Sequence, residues 1–285
     1  MKKLFTLYTA LLLVVSINAQ QISFCEDFES LTSGNPIAQT SPSWNTWGEL
    51  MTGTVAPFID DAFISSLQSS SGINSLYFPD NGAAGPEDIL LMFDTIQNIN
   101  TTNISSLSTP YVAGDFVFSQ KMYVRGGTGA YFNFQAENIP GVSWALEVAF
   151  DNTGNIIMSN TSGTSFTVSF PHDVWFEIMF DIDLSNNNWE VLIDGISQGS
   201  FANTINKIAS LDLYTRIGDE YYVDDVCYNY TPATLPMNNG QVSNISTITG
   251  LVGQTRYPSV EIRNFGLVPI SSCDITFDYN GIQMT

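Results

Sequence analysis

Carboxylates dominate the reactive side chains of this 285-residue chain, with 28 Asp+Glu against 8 Lys+Arg and one His. Three acid pairs recur at one spacing: Glu147 with Asp151, Glu177 with Asp181, and Glu190 with Asp194. In extended backbone such residues share a face, so strand alternation accounts for each pair without catalysis. His172 lies in Pro171-His172-Asp173, a turn with no serine or cysteine elbow beside it. Zinc-type His/Cys clusters and phosphate-cradling glycine loops are absent. A different surface suits binding. Lys121, Tyr123 and Arg125 share one side of the run from Asp115, while Phe116, Phe118, Met122, Val124 and the polar Gln120 share the other. In the next run Tyr131, Asn133 and Gln135 point away from Phe132 and Phe134. Tyr rings beside amide and cationic donors suit sugars, whose C–H faces stack on aromatics while hydroxyls take hydrogen bonds. Two of the scarce cations sit there, which favours an acidic polysaccharide. An ordinary solvated sheet face is the alternative.

The elements that must position these residues are strands. Short alternating runs separated by Asn, Gly, Ser and Asp clusters are the all-β pattern. From Trp175 to Leu184 the residues Phe176, Ile178, Phe180, Ile182 and Leu184 fall on one face. The turn Ser185-Asn186-Asn187-Asn188 then leads into a second strand, Trp189–Asp194, closed by Gly195. Further strands are expected at Ile22–Glu29, Asn74–Phe78, Ile89–Phe93, Asp115–Val124, Ala130–Ala136, Ser143–Phe150 and Asn155–Ser159, and at Ser165–Ser169, Ile208–Tyr214 and Glu220–Tyr228. Trp144 alternates with Leu146 and Val148 and reads as core. So many strands exceed one open sheet and predict two stacked antiparallel sheets.

Lys2 and Lys3, an apolar run from Leu4 to Val15 and the small Ala19 have the layout of a cleaved secretory signal, residues 1–19. No later stretch reaches the roughly 20 apolar residues of a membrane-spanning helix. An exported, secreted or cell-surface protein is expected, with no membrane span. The formal charge of −20 repels phosphate backbones and disfavours nucleic acid as a partner. It also suits divalent cations. Three cysteines, Cys25, Cys227 and Cys273, allow one bridge with one left over. The alternation stops near 231–240, which reads as a linker between a domain over 20–230 and a partial Ig-like β domain over 241–285. The short tail cannot close a sandwich by itself, so the chain is expected to stop inside that second domain.

Four segments resemble the concanavalin A-like lectin/glucanase superfamily, with its laminin-G-like and MAM-type modules. They are Phe24-Cys25-Glu26-Asp27-Phe28-Glu29-Ser30, Ser71-Gly72-Ile73-Asn74-Ser75-Leu76-Tyr77-Phe78, the Trp175-to-Gly195 hairpin, and Tyr222-Val223-Asp224-Asp225-Val226. The tail resembles the Ig-like modules that follow such domains in secreted multidomain bacterial proteins. The resemblance implies a two-sheet jelly-roll sandwich and leaves function open among hydrolases, lyases, lectins and adhesion modules. Pairing the first and last strands with Cys25 opposite Cys227, as a disulfide, would set Glu26 opposite Val226 and Asp27 opposite Asp225. Like charges across a ladder are destabilising. With Glu26 and Asp224 adjacent, the four acids form a candidate Ca²⁺ site, whose alternative is a set of solvated acids. Retaining glucanases of the superfamily carry Glu-x-Asp-x-x-Glu on a strand, and this sequence lacks it. The expectation is therefore a non-catalytic module binding an extracellular glycan through Lys121, Tyr123, Arg125, Tyr131, Asn133 and Gln135. The alternatives are a structural or adhesion module, or a diverged hydrolase or lyase.

Overall fold

Alternation of large apolar and polar residues builds two antiparallel sheets whose apolar faces meet. The computed structural model describes residues 21–93 and 109–233 and the strands 240–245, 260–264, 277–279 and 282–284. The expected signal segment, most of the expected linker and Cys273 lie outside the described residues. Two units are distinguished, Met1–Pro232 and Ala233–Thr285.

In the first unit, one sheet contains β1 (Ile22–Glu26), β3 (Phe63–Ser65), β4 (Ser75–Phe78), β6 (Asp115–Val124), β11 (Trp175–Asp183), β12 (Asn188–Ile193), β13 (Ile196–Phe201) and β15 (Tyr221–Thr231). Its order is β13-β12-β11-β6-β15-β4-β3, with β1 also paired to β15. The other sheet contains β2 (Trp44–Thr46), β5 (Asp88–Met92), β7 (Ala130–Gln135), β8 (Trp144–Phe150), β9 (Asn155–Ser159), β10 (Ser165–Ser169) and β14 (Ser210–Tyr214). Its order is β10-β9-β8-β7-β14-β5-β2. The fold is an all-β two-sheet sandwich of the expected jelly-roll type. The second unit contributes two antiparallel pairs, β16 (Gly240–Ile245) with β17 (Val260–Asn264) and β18 (Phe277–Tyr279) with β19 (Ile282–Met284).

Phenylalanines hold the sheets together. Phe118 and Phe180 from the first sheet meet Phe134 from the second edge-on, with centroids 5.1 and 5.2 Å apart. Such contacts add roughly 0.5–1.5 kcal/mol each beyond the burial of the rings. Gln120 is wholly buried among them, its Nε2 donating to Met122 Sδ at 3.3 Å. Two short helices flank the sheets, α1 (Ile37–Thr40) and α2 (Trp47–Thr52). Thr46 caps α2 by accepting from Glu49 N at 3.0 Å, and Gly53 ends it in the left-handed region at φ 67°. Leu50 of α2 packs on Leu90 and Met92, with Trp47 alongside, so part of the second sheet's outer face is covered.

The closing strands pair as expected, with Cys25 opposite Cys227 and joined to it by a disulfide, and Glu26 opposite Val226. The ladder ends there. The register of β15 against β6 shifts between Asp224 and Cys227, and Asp225 adopts φ 48°. Asp27 and Asp225 are therefore not a ladder pair, contrary to extrapolation of a regular register. No helix among the described residues is long and apolar enough to cross a membrane.

Candidate functional site

The outer face of the seven-stranded sheet carries a cleft assembled from five strands and α2. Asp88 opens β5 and lies opposite Tyr214 of β14. Two residues back along β14, on the same face, Asp212 lies opposite Leu90 on one side and Asn133 of β7 on the other. Asn133 in turn faces Glu147 of β8, and Glu147 faces Ser159 of β9. Strand pairing thus lays polar groups in a row across the sheet. Trp47, Trp144, Tyr131 and Tyr214 rim a depression of 480 Å³ over this row. A neighbouring depression of 620 Å³ runs on past Ala149 and Arg216 toward Asn152 and Ile217. Both volumes lie within the range of small-ligand sites.

Asp212 is 4 % exposed, and its Oδ2 accepts from Asn133 Nδ2 at 2.7 Å and Gln135 Nε2 at 3.3 Å. Asp88 Oδ1 and Asp212 Oδ1 are both buried without a hydrogen-bond partner, on neighbouring positions of the paired strands β5 and β14. Burial first, and then the neighbouring acid, push the Asp88 carboxyl well above the ordinary range, because two adjacent carboxyls in a poorly solvated place cannot both ionise. Burial raises the Asp212 carboxyl as well, against hydrogen bonds from Asn133 and Gln135 that lower it. Across the cleft the Tyr131 hydroxyl donates to Glu147 Oε1 at 3.0 Å, and burial together with that carboxylate raises the phenol's pKa.

Arg216 forms the floor. Its Nε donates to Asp219 Oδ2 at 2.9 Å, and its Nη2 to the carbonyls of Ala130 at 2.9 Å and Phe150 at 3.0 Å. The guanidinium carbon lies 5.0 Å from the Tyr131 ring centroid. Trp47 is seated against the loop after β7. A Cβ on Gly141 would stand 2.7 Å from the Trp47 ring, and Gly141 has φ 84°. Gly141 N donates to Gln135 Oε1 at 2.8 Å, which fixes the loop. Gln135 is thus a strut beneath the cleft.

The six residues expected to form one sugar-binding face are split between the two sheets. Tyr131, Asn133 and Gln135 lie on β7, whereas Lys121 and Tyr123 lie on β6 of the opposite sheet and Arg125 directly follows it. The chain between Val124 and Ala130 crosses from one sheet to the other, so β6 and β7 do not form a hairpin. Lys121 there faces Glu177 at 3.8 Å, and Arg125 bonds Glu220 at 2.9 Å. The Tyr123 ring lies edge-on to Tyr222, which stacks on Tyr77. Trp144 lines the cleft instead of the core. A bulge after Phe134 is the cause: Phe134 pairs with Leu146 but Gln135 with Trp144, so Ala145 is an extra residue that reverses the alternation. Asp88, Glu147, Asp212, Tyr214 and Arg216 were not among the expected site residues. The available signal was an acid inside an apolar strand, as in Ser210-Leu211-Asp212-Leu213-Tyr214.

The expected calcium ligands have other partners. Asp224 is wholly buried, its Oδ2 accepting from Ser70 N at 2.8 Å and Ser71 N at 3.1 Å. Asp225 Oδ1 accepts from the Ser71 hydroxyl at 2.8 Å. Glu26 Oε1 accepts from Phe28 N and Asp27 Oδ1 from Glu29 N, each at 3.1 Å. Among the described residues no group of three or more His, Cys, Asp or Glu side chains is arranged to hold a metal ion. His172 caps a turn through Nε2, 3.1 Å from Thr128 O, and its ring lies 4.6 Å from Phe170.

No protein-family model matches the chain, and no curated protein matches it. Several solved structures are similar to it at low identity. A T. cruzi calreticulin globular domain has TM-score 0.46 and 12% identity, covering 72% of this chain and 87% of its own. A sialidase has TM-score 0.42 and 11% identity over 68% of this chain, which spans only 18% of the sialidase. A galectin of Caenorhabditis elegans has TM-score 0.33 and 8% identity, covering 42% of this chain and 89% of its own.

Proposed function

We propose that the sandwich is an extracellular carbohydrate-recognition module whose ligand lies in the cleft on the seven-stranded sheet. One observation carries this reading. Four aromatic side chains, Trp47, Tyr131, Trp144 and Tyr214, surround a row of hydrogen-bonding groups contributed by Asn133, Glu147, Ser159 and Asp212. Aromatic faces take the C–H side of a pyranose, and carboxylate and amide groups take its hydroxyls. The continuation toward Asn152 and Ile217 gives room for more than one sugar unit. A disulfide is compatible with an oxidising, extracellular setting. The test is a glycan array on the parent and two variants. Trp144→Ala is expected to abolish binding, and Tyr123→Ala, on the opposite sheet, to leave it intact. Loss with Tyr123→Ala alone would move the site to the other face.

One observation favours a second reading, hydrolysis. A general acid requires a carboxyl raised above the ordinary range, as burial and the neighbouring Asp212 raise that of Asp88, and Glu147 lies in the same cleft. Release of reducing ends from a bound polysaccharide, lost in Asp88→Asn, would establish it. Binding without release leaves recognition as the function.

A further inference from the structure

We propose that the cleft selects its sugar by charge, preferring amino-bearing units to neutral ones and excluding uronic and sialic acids. This rests on the saccharide reading above and reverses the acidic-polysaccharide expectation, whose basis was Lys121 and Arg125. Those two cations face the other side of the molecule.

The charges that remain in the cleft are negative. The acids Asp88, Asp212 and Glu147 line it, Glu147 beside Tyr131. Asp151 lines the continuation, and hydrogen bonds from Asn155 and Thr153 hold its carboxyl well below the ordinary range, so it stays ionised. Arg216 is the one cation among the described lining residues. Asp219 offsets its charge through Nε and Nη2, and Nη2 also donates to two backbone carbonyls. An entering carboxylate would lose water and meet several acids against a single guanidinium that Asp219 already offsets. An ammonium would meet carboxylates and aromatic faces, both of which attract cations.

Calorimetric titration with oligosaccharides of glucosamine, glucose and glucuronate, matched in length, at pH 6 and low salt tests the order. Each step of ligand charge is expected to change the dissociation constant on the order of tenfold, less at high salt. Glu147→Gln, a near-isosteric change at a partly exposed site, is expected to narrow the gap between glucosamine and glucose oligomers. Glucuronate oligomers binding as tightly as glucose oligomers would overturn the charge inference and leave sugar recognition standing. Failure of all three to bind to a cooperatively folded protein would overturn both.

Discussion

Replacing both Cys25 and Cys227 with alanine removes a cross-link whose ends are 202 residues apart. In the chain-entropy model the unfolded state loses freedom in proportion to the logarithm of the loop, which here gives about 5 kcal/mol at 25 °C. The native ladder from Ile22–Tyr230 to Glu26–Val226 survives the change, so the cost falls chiefly on the unfolded side. At roughly 2–4 °C per kcal/mol for a domain of this size, the full effect is a fall in melting temperature of about 10–20 °C. Urea unfolding followed by tryptophan fluorescence measures it, because Trp44 and Trp189 are wholly buried and report on the core. The parent with reductant should follow the double variant. Equal midpoints for the variant and the oxidised parent, with equal slopes, would refute the loop-entropy argument and leave strand pairing as the closure.

Several other outcomes are expected. Burial raises the carboxyl of Glu49 to about 7 and those of Asp61 and Asp224 to about 6. Folded protein then holds more protons than unfolded protein between pH 4 and 7, so this contribution to stability is complete below the ordinary carboxylate range and is lost as pH rises through 7. Thermal midpoints should climb from pH 8 to pH 5.5, with a shallower slope in Glu49→Gln, and a midpoint rising with pH over that window would contradict it. Gly141→Ala should displace Trp47 and strain a left-handed residue, costing about 1 kcal/mol or more and weakening glycan binding, as denaturation and array measurements would show. Because Asp224 Oδ2 is already filled by two backbone donors, excess EDTA should leave the melting curve unchanged. A lowered midpoint would instead support calcium at Glu26, Asp27, Asp224 and Asp225.

Period-two alternation is a local signal, and where both sheets follow it the strands were legible. Asp115–Val124, Asn155–Ser159 and Ser165–Ser169 fall where the alternation puts them. The strand Ile196–Phe201 escaped because Ser197, Gln198, Gly199 and Ser200 present no apolar face. The helix Trp47–Thr52 was not expected, because six residues are too few to show a helical period, although Thr46 caps it by accepting from Glu49 N. The site was harder. Gly126-Gly127-Thr128-Gly129 has the same local chemistry whether it turns a hairpin or crosses between sheets, so only tertiary pairing separates Tyr123 from Tyr131. Likewise Ala145 as an extra residue leaves no mark in composition, and it alone moves Trp144 from core to cleft. Asp88 and Asp212 meet only because β5 and β14 pair.

The pairing of β1 with β15 also decides how the domain would carry tension. A pull on the chain outside residues 22 and 230 enters at one end of a single ladder and opens it like a zip, one pair at a time. It meets Ile22–Tyr230, Ser23–Asn229 and Phe24–Tyr228 before reaching the Cys25–Cys227 bond. There the load passes through a covalent link, and everything between residues 25 and 227, the cleft included, is mechanically bypassed. Under such a pull the domain would yield a few residues of length with its cleft undisturbed.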